Sequence, residues 1–143
     1  MPEGEDVPDD FAIPSDCQLL RSFSPQFIVP VQGGGLRPDR RAFQEITDKN
    51  TGVRAMSVYR RDLLDELQVE YEAIVETHPD HLIVCLAASK FRELGLGVVS
   101  APEAGRAGPA HCHIFGKLSG SRQSRLVDAV VDGGDDTWIK GPQ

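Results

Sequence analysis

Six consecutive residues, Leu82–Ala87 (LIVCLA), carry no charge, amide or hydroxyl. An unbroken apolar run of this length reads as a central strand covered on both faces, because a strand sends successive side chains to opposite sides. The fold therefore has to supply apolar cover above this strand and below it.

Other segments supply candidates for that cover. Residues 18–23 (QLLRSF), 53–59, 97–100 and 111–115 read as further strands bounded by turn chemistry. Leu64, Leu67, Tyr71, Ile74 and Val75 recur at spacings of three and four, which predicts one helix over 61–77, closed by His78-Pro79. Ser89 is placed to cap a short helix over 90–94, and Leu126, Val127 and Val130 form the stripe of a last helix over 121–131. Pro38 can open a helical turn, Asp48 to Gly52 is turn chemistry, and residues 101–110 read as a flexible loop. The expected fold class is α+β, with a mixed sheet of about four or five strands and two or three helices, chiefly on one side.

Charge is uneven along the chain. Of the net −7, residues 1–16 carry six acids and no Lys or Arg, which leaves the remainder close to neutral. With three prolines and few larger apolar groups, this leader is expected to be flexible, ahead of one domain over 17–143. A solubilising tail is the expectation, and a docking motif built on Phe11 and Ile13 is the alternative. Such a balance argues against duplex-DNA binding, which calls for a basic field. No apolar run approaches the roughly 20 residues of a membrane span, and the N-terminus has no secretory signal pattern, so a cytoplasmic location is expected. Three widely spaced cysteines, Cys17, Cys85 and Cys112, form neither a disulfide framework nor a CxxC knuckle.

All four histidines fall in two pairs, His78/His81 and His111/His113. The first pair suits a helix exit and turn. The second lies on one face of its strand, and Lys117, Ser119, Gly120, Ser121 and Arg122 follow it into the last helix. A helix start exposes unpaired N–H groups, so these residues can hold a phosphate or carboxylate, with His111 or His113 as acid or base. The histidine pair alone is too few for a metal site, and no metal or cofactor is expected, although a metal joined by further donors such as Asp128, His78, His81 or Glu103 would activate water. Arg37, Arg40 and Arg41 form a second cationic group, suited to phosphates or to the acidic leader.

Two family patterns lie near these residues. His111-x-His113 resembles the start of the JAMM metalloprotease motif, but the spacing to Ser121, Ser124 and Asp128 differs and the expected proline is missing, which excludes the match. Arg21 on the first strand with Ser57 in Met56-Ser57-Val58-Tyr59 resembles the ADP-ribosyltransferase arrangement, without that family's late glutamate. The expectation from the sequence is a non-catalytic module that binds a protein partner. The alternative is a small enzyme or ligand-binding domain for a phosphate-bearing or nucleotide substrate at the corner formed by residues 111–122.

Overall fold

The structure, a computed structural model, describes residues 7–30, 35–47 and 52–141. Among them the strands are β1 Gln18–Phe23, β2 Ile28–Pro30, β3 Leu36–Pro38, β4 Ile46–Thr47, β5 Arg54–Arg60, β6 Leu82–Ala87, β7 Gly97–Ser100, β8 His111–Phe115 and β9 Trp138–Lys140. The helices are α1 Arg61–Glu66, α2 Ala88–Arg92 and α3 Gly120–Gly133. Seven strands form one sheet in the order β7-β8-β5-β1-β6-β9, with β4 added to β5, while β2 and β3 make a separate ribbon.

The α+β class holds, but the sheet is larger than four or five strands and it is antiparallel throughout, not mixed. The cause lies in the path from β5 to β6. These two strands run the same way, but β1 lies between them and pairs antiparallel with each. The strands absent from the sequence reading are also too short to show a period: β4 has two residues and β9 three.

β6 is covered on both sides. Leu82, Val84 and Leu86 face a layer containing Phe91 of α2 and Leu126, Val127 and Val130 of α3. Ile83 and Cys85 face a second layer, where they meet Leu64 of α1 with Ala73 and Val75. Removing such side chains from water is worth about 1.5–3 kcal/mol for each large one.

The helix expected over 61–77 is instead two pieces, α1 and a 3-10 turn at Tyr71–Val75. Between them Gln68 adopts a left-handed backbone with φ of 58°. The Val69 N–H donates to the Leu64 carbonyl at 2.9 Å, the long closing bond of a helix stop that normally places glycine at the left-handed position. The apolar spacing hid this break because Leu67, one of the periodic residues, is 47% exposed while Ala73 and Val75 are buried. Tyr71 joins the pieces: its hydroxyl accepts from Arg61 Nε at 2.9 Å and donates to Asp65 at 2.6 Å.

The leader also departs from expectation, although residues 1–6 lie outside those described. Residues 7–16 are not a free tail, since Ile13 is 0% exposed and belongs to the core. Asp10 N–H donates to the Val98 carbonyl at 2.8 Å, and Val98 N–H donates to Asp9 Oδ1 at 2.9 Å. The segment thereby covers the open edge of β7, a place where unpaired strand groups otherwise invite aggregation. Arg92 secures it by donating to Asp9 Oδ1 at 3.1 Å, Ser15 Oγ at 3.0 Å and the Asp10 carbonyl at 2.9 Å. Composition alone misjudged this stretch because one carboxylate, Asp9, is used as a strand-edge acceptor.

Other boundaries shift slightly. The second strand runs Arg54–Arg60, α2 starts at Ala88 with Ala87 at its cap instead of Ser89, and α3 runs two residues further than expected at its end. The turn expected at 48–52 falls largely outside the described residues. Among the described residues no helix is long and apolar enough to cross a membrane.

Replacing Gln68 by glycine should raise stability by about 0.5–1 kcal/mol, because glycine adopts positive φ without steric penalty; urea unfolding of the two chains checks this. Asp9→Ala should cost about 1.5–3 kcal/mol through loss of its hydrogen bonds to Arg92 and Val98, and should expose residues 7–16 to limited proteolysis.

Candidate functional site

The expected corner does not assemble. Cys112 and Ile114 of β8 face the α3 layer, so alternation sends His111 and His113 to the opposite face of the sheet. Lys117, Ser119, Gly120, Ser121 and Arg122 stay on the α3 side. There Ser119 caps the helix, accepting from the Arg122 N–H at 3.3 Å, and Arg122 Nη1 folds back onto the Lys117 carbonyl at 2.8 Å. Lys117 and Ser121 are exposed, and an added Cβ on Gly120 would lie 2.8 Å from Arg40 Nη1. The docking pair of the leader is also divided: Phe11 is 91% exposed but Ile13 is buried. Among the described residues no group of three or more His, Cys, Asp or Glu is arranged to hold a metal ion.

The histidine face carries a different cluster. His111 is 3% exposed; its Nδ1 lies 2.7 Å from the Ala101 carbonyl and its Nε2 lies 2.9 Å from Ser57 Oγ. A carbonyl can only accept, so the neutral ring carries its proton on Nδ1 and leaves Nε2 as acceptor for the Ser57 hydroxyl. Glu103 Oε1 stands 3.4 Å from Nδ1. Tyr59 lies edge-on to the ring at 5.2 Å; burial first, then the Glu103 charge, push the phenol up to about 12. His113 lies 5.0 Å from His111, edge to face, and packs against Phe115.

The register explains how these groups meet. Ser57 pairs with His113 and Tyr59 with His111, so Ser57 reaches His111 along the diagonal, within range of a long side chain. The loop of residues 101–110 is closed, not loose: Glu103 N–H donates to the Gly108 carbonyl at 3.0 Å and Ala110 N–H to Ala107 at 3.0 Å. A Cβ on Gly108 would sit 1.9 Å from the Glu103 carbonyl oxygen, so only glycine lets the loop return Glu103 over His111.

A second group adjoins the first through Arg21. This side chain projects from β1 among apolar neighbours, donating from Nε to the Ala42 carbonyl at 2.9 Å and from Nη1 to the Ser57 carbonyl at 3.1 Å. Nη2 has no acceptor among the described residues. No carboxylate there pairs with the guanidinium, and desolvation lowers it to about 10. Arg21 lines a cavity of about 440 Å³ with Ser22, Ser24, Gln44, His78 and His81, whose apolar wall includes Phe27, Ile46 and Ile74.

His78 and His81 are stacked at 4.7 Å with 14° between their planes. The turn that presents them is braced by Lys140, whose Nζ donates to the carbonyls of Pro79 and, at 2.6 Å, His81. Desolvation lowers the His81 pKa, and His78, Lys140 and Arg21 add to the effect while Asp80 opposes it. Lys140 and Arg21 are the permanent cations near His81, and Asp80 is the acid beside them.

A larger cavity, about 600 Å³, holds Arg37 and Arg40 but also Asp39 and Asp128, so its charges offset one another. The three cysteines are buried and free, and burial pushes each thiol up, Cys17 to about 11 and Cys112 to about 12. They are poor nucleophiles at neutral pH.

Sequence reasoning placed His78 and His81 in a turn, which they occupy, and otherwise counted them only among possible metal donors. Arg21 and Ser57 entered only through a family likeness, and Glu103 only as a metal donor. The available signal was an arginine in a strand beside the buried Leu19, Leu20 and Phe23. Compared with family models, curated proteins and solved structures, the chain shows no match.

Gly108→Ala should cost about 1–3 kcal/mol, the usual penalty of overpacking, because the Glu103 backbone has to move aside; thermal unfolding measures it.

Proposed function

We propose that the chain is a binding domain for a small organic anion, a phosphate or carboxylate joined to an apolar body, seated in the Arg21 cavity. The observation that carries this reading is a desolvated guanidinium with no carboxylate partner among the described residues, beside two stacked imidazoles. Burying a cation is costly unless it is paired, and two neutral carbonyls offset that cost only in part. An anion at Nη2 would complete the pairing with a fork-shaped donor suited to phosphate and carboxylate. Phe27, Ile46 and Ile74 would cover the apolar body. A protein partner has weaker support: Phe11 is the exposed anchor of the leader, and a single exposed ring is ordinary surface.

Binding should depend on pH with a defined sign. His81 titrates below its ordinary 6.5, so folding loses stability as pH falls from about that value through the lowered pKa. An anion in the cavity favours the protonated ring and opposes this loss. Phenyl phosphate and benzoate should therefore raise the unfolding temperature more at pH 5.5 than at pH 8. The corresponding affinity gain is several-fold, about the 1 kcal/mol of one solvated ion pair. Benzamide, of the same shape without charge, should do little. The His78→Ala/His81→Ala chain, which leaves the core intact, should lose the pH dependence, and Arg21→Gln should lose binding. Equal stabilisation by benzamide and benzoate would refute the reading.

A further inference from the structure

The Ser57–His111 pair is not used by anion binding, and its geometry is that of an activated hydroxyl. We propose that Ser57 is a nucleophile, with His111 as general base, for hydrolysis of small acyl esters bearing an anionic group. The nucleophile and base stand on their own geometry; the anionic preference rests on the Arg21 cavity.

Three observations converge. Ser57 Oγ is 2.9 Å from His111 Nε2, the distance over which a base takes a proton. The Ala101 carbonyl, 2.7 Å from Nδ1, fixes the tautomer in which Nε2 is free to accept, and Glu103 adds a negative charge beside the same nitrogen. This is the nucleophile, base and orienting acceptor of covalent catalysis. Finally, Arg21 Nη1 donates to the backbone carbonyl of Ser57, which ties the cavity's cation to the strand that carries the hydroxyl.

In the reaction, Ser57 Oγ attacks the ester carbonyl carbon as its proton passes to His111 Nε2. The tetrahedral adduct expels the alcohol oxygen, which takes that proton, and an acyl ester remains on Ser57. Water then attacks the acyl carbon and gives a proton to Nε2. Collapse releases the carboxylic acid product and returns the proton to Ser57. His111 is 3% exposed, whereas Ser57 retains partial exposure, so reagent meets the hydroxyl before the ring.

The test uses the full chain with a fluorophosphonate, which loses fluoride to an activated serine, and with two chromogenic esters, p-nitrophenyl acetate and mono-p-nitrophenyl succinate. Peptide mass spectrometry should place the label on Ser57. Ser57→Ala should abolish it, and His111→Gln should slow it about 100-fold or more in a chain with unchanged circular dichroism. If either variant fails to fold, Ser57→Cys serves: iodoacetamide should alkylate the new thiol well ahead of the three buried native ones. Absence of label, or label elsewhere on the folded chain, overturns the nucleophile. The succinate ester should turn over about tenfold faster than the acetate, and His78→Ala/His81→Ala should remove the difference. Equal turnover in the unaltered chain overturns the anionic substrate class. Anion-dependent stabilisation without labelling would sink this inference alone, whereas labelling without that stabilisation would sink the cavity reading alone.

Discussion

The ladder between β1 and β6 dictates most of this architecture. Six residues of each strand pair, from Gln18 with Ala87 to Phe23 with Leu82, and apolar layers cover both faces. Toward the ladder's covered middle a polar group loses water, so its polar side chains find partners or turn to the edge. Gln18, at the end, accepts from the Cys85 thiol at 3.2 Å. Arg21 sits opposite Val84 and leaves the face sideways. It can do so because β1 and β5 pair only at Leu19 and Leu20. Beyond that point a guanidinium, not a strand amide, meets the Ser57 carbonyl.

The electrostatic pattern follows from where the acids are used. Several cations have a carboxylate: Arg92 has Asp9, Arg60 has Asp62, Arg41 has Asp39, and Arg106 has Glu70 and Glu76. Most of these pairs are solvent-accessible and contribute little to stability. Arg21 differs in being desolvated without an ion pair among the described residues. A chain of net charge −7 thus keeps Arg21 and Lys140 near one cavity, with Asp80 as the acid acting on His81 there. Burial and pairing, not net charge, decide which surface attracts an anion.

Strand positions were legible because double-sided burial leaves its mark on the residues themselves: Gln18–Phe23, Leu82–Ala87, Gly97–Ser100 and His111–Phe115 all coincide with expectation. The break at Gln68 was not, because a left-handed glutamine leaves no compositional trace and the apolar spacing continues across it. The docking of residues 7–16 depends on Asp9 meeting the edge of β7, far away in the chain. The site shows the same division. The histidines stood out by their clustering, yet they were joined to the wrong neighbours. Local order suggested that His111 and His113 would share a hollow with the helix start seven residues beyond His113. The pleat sends them to the other side, toward Ser57 and Glu103, which only register and loop closure bring near.

Within that cluster the two acceptors on His111 Nδ1 differ in kind. The Ala101 carbonyl is closer, at 2.7 Å, and it is neutral at every pH, so it sets the ring's orientation and tautomer unconditionally. Glu103 is farther, at 3.4 Å, and half exposed, so it supplies charge more than geometry. A buried ring needed only for packing would require the first of these and gain little from the second. Gly108, whose missing Cβ lets the loop return Glu103 across the ring, belongs to an arrangement that keeps a negative charge beside an imidazole already held in place. Such a charge favours the imidazolium that forms when Nε2 takes a proton, and the hydroxyl within reach of Nε2 is that of Ser57.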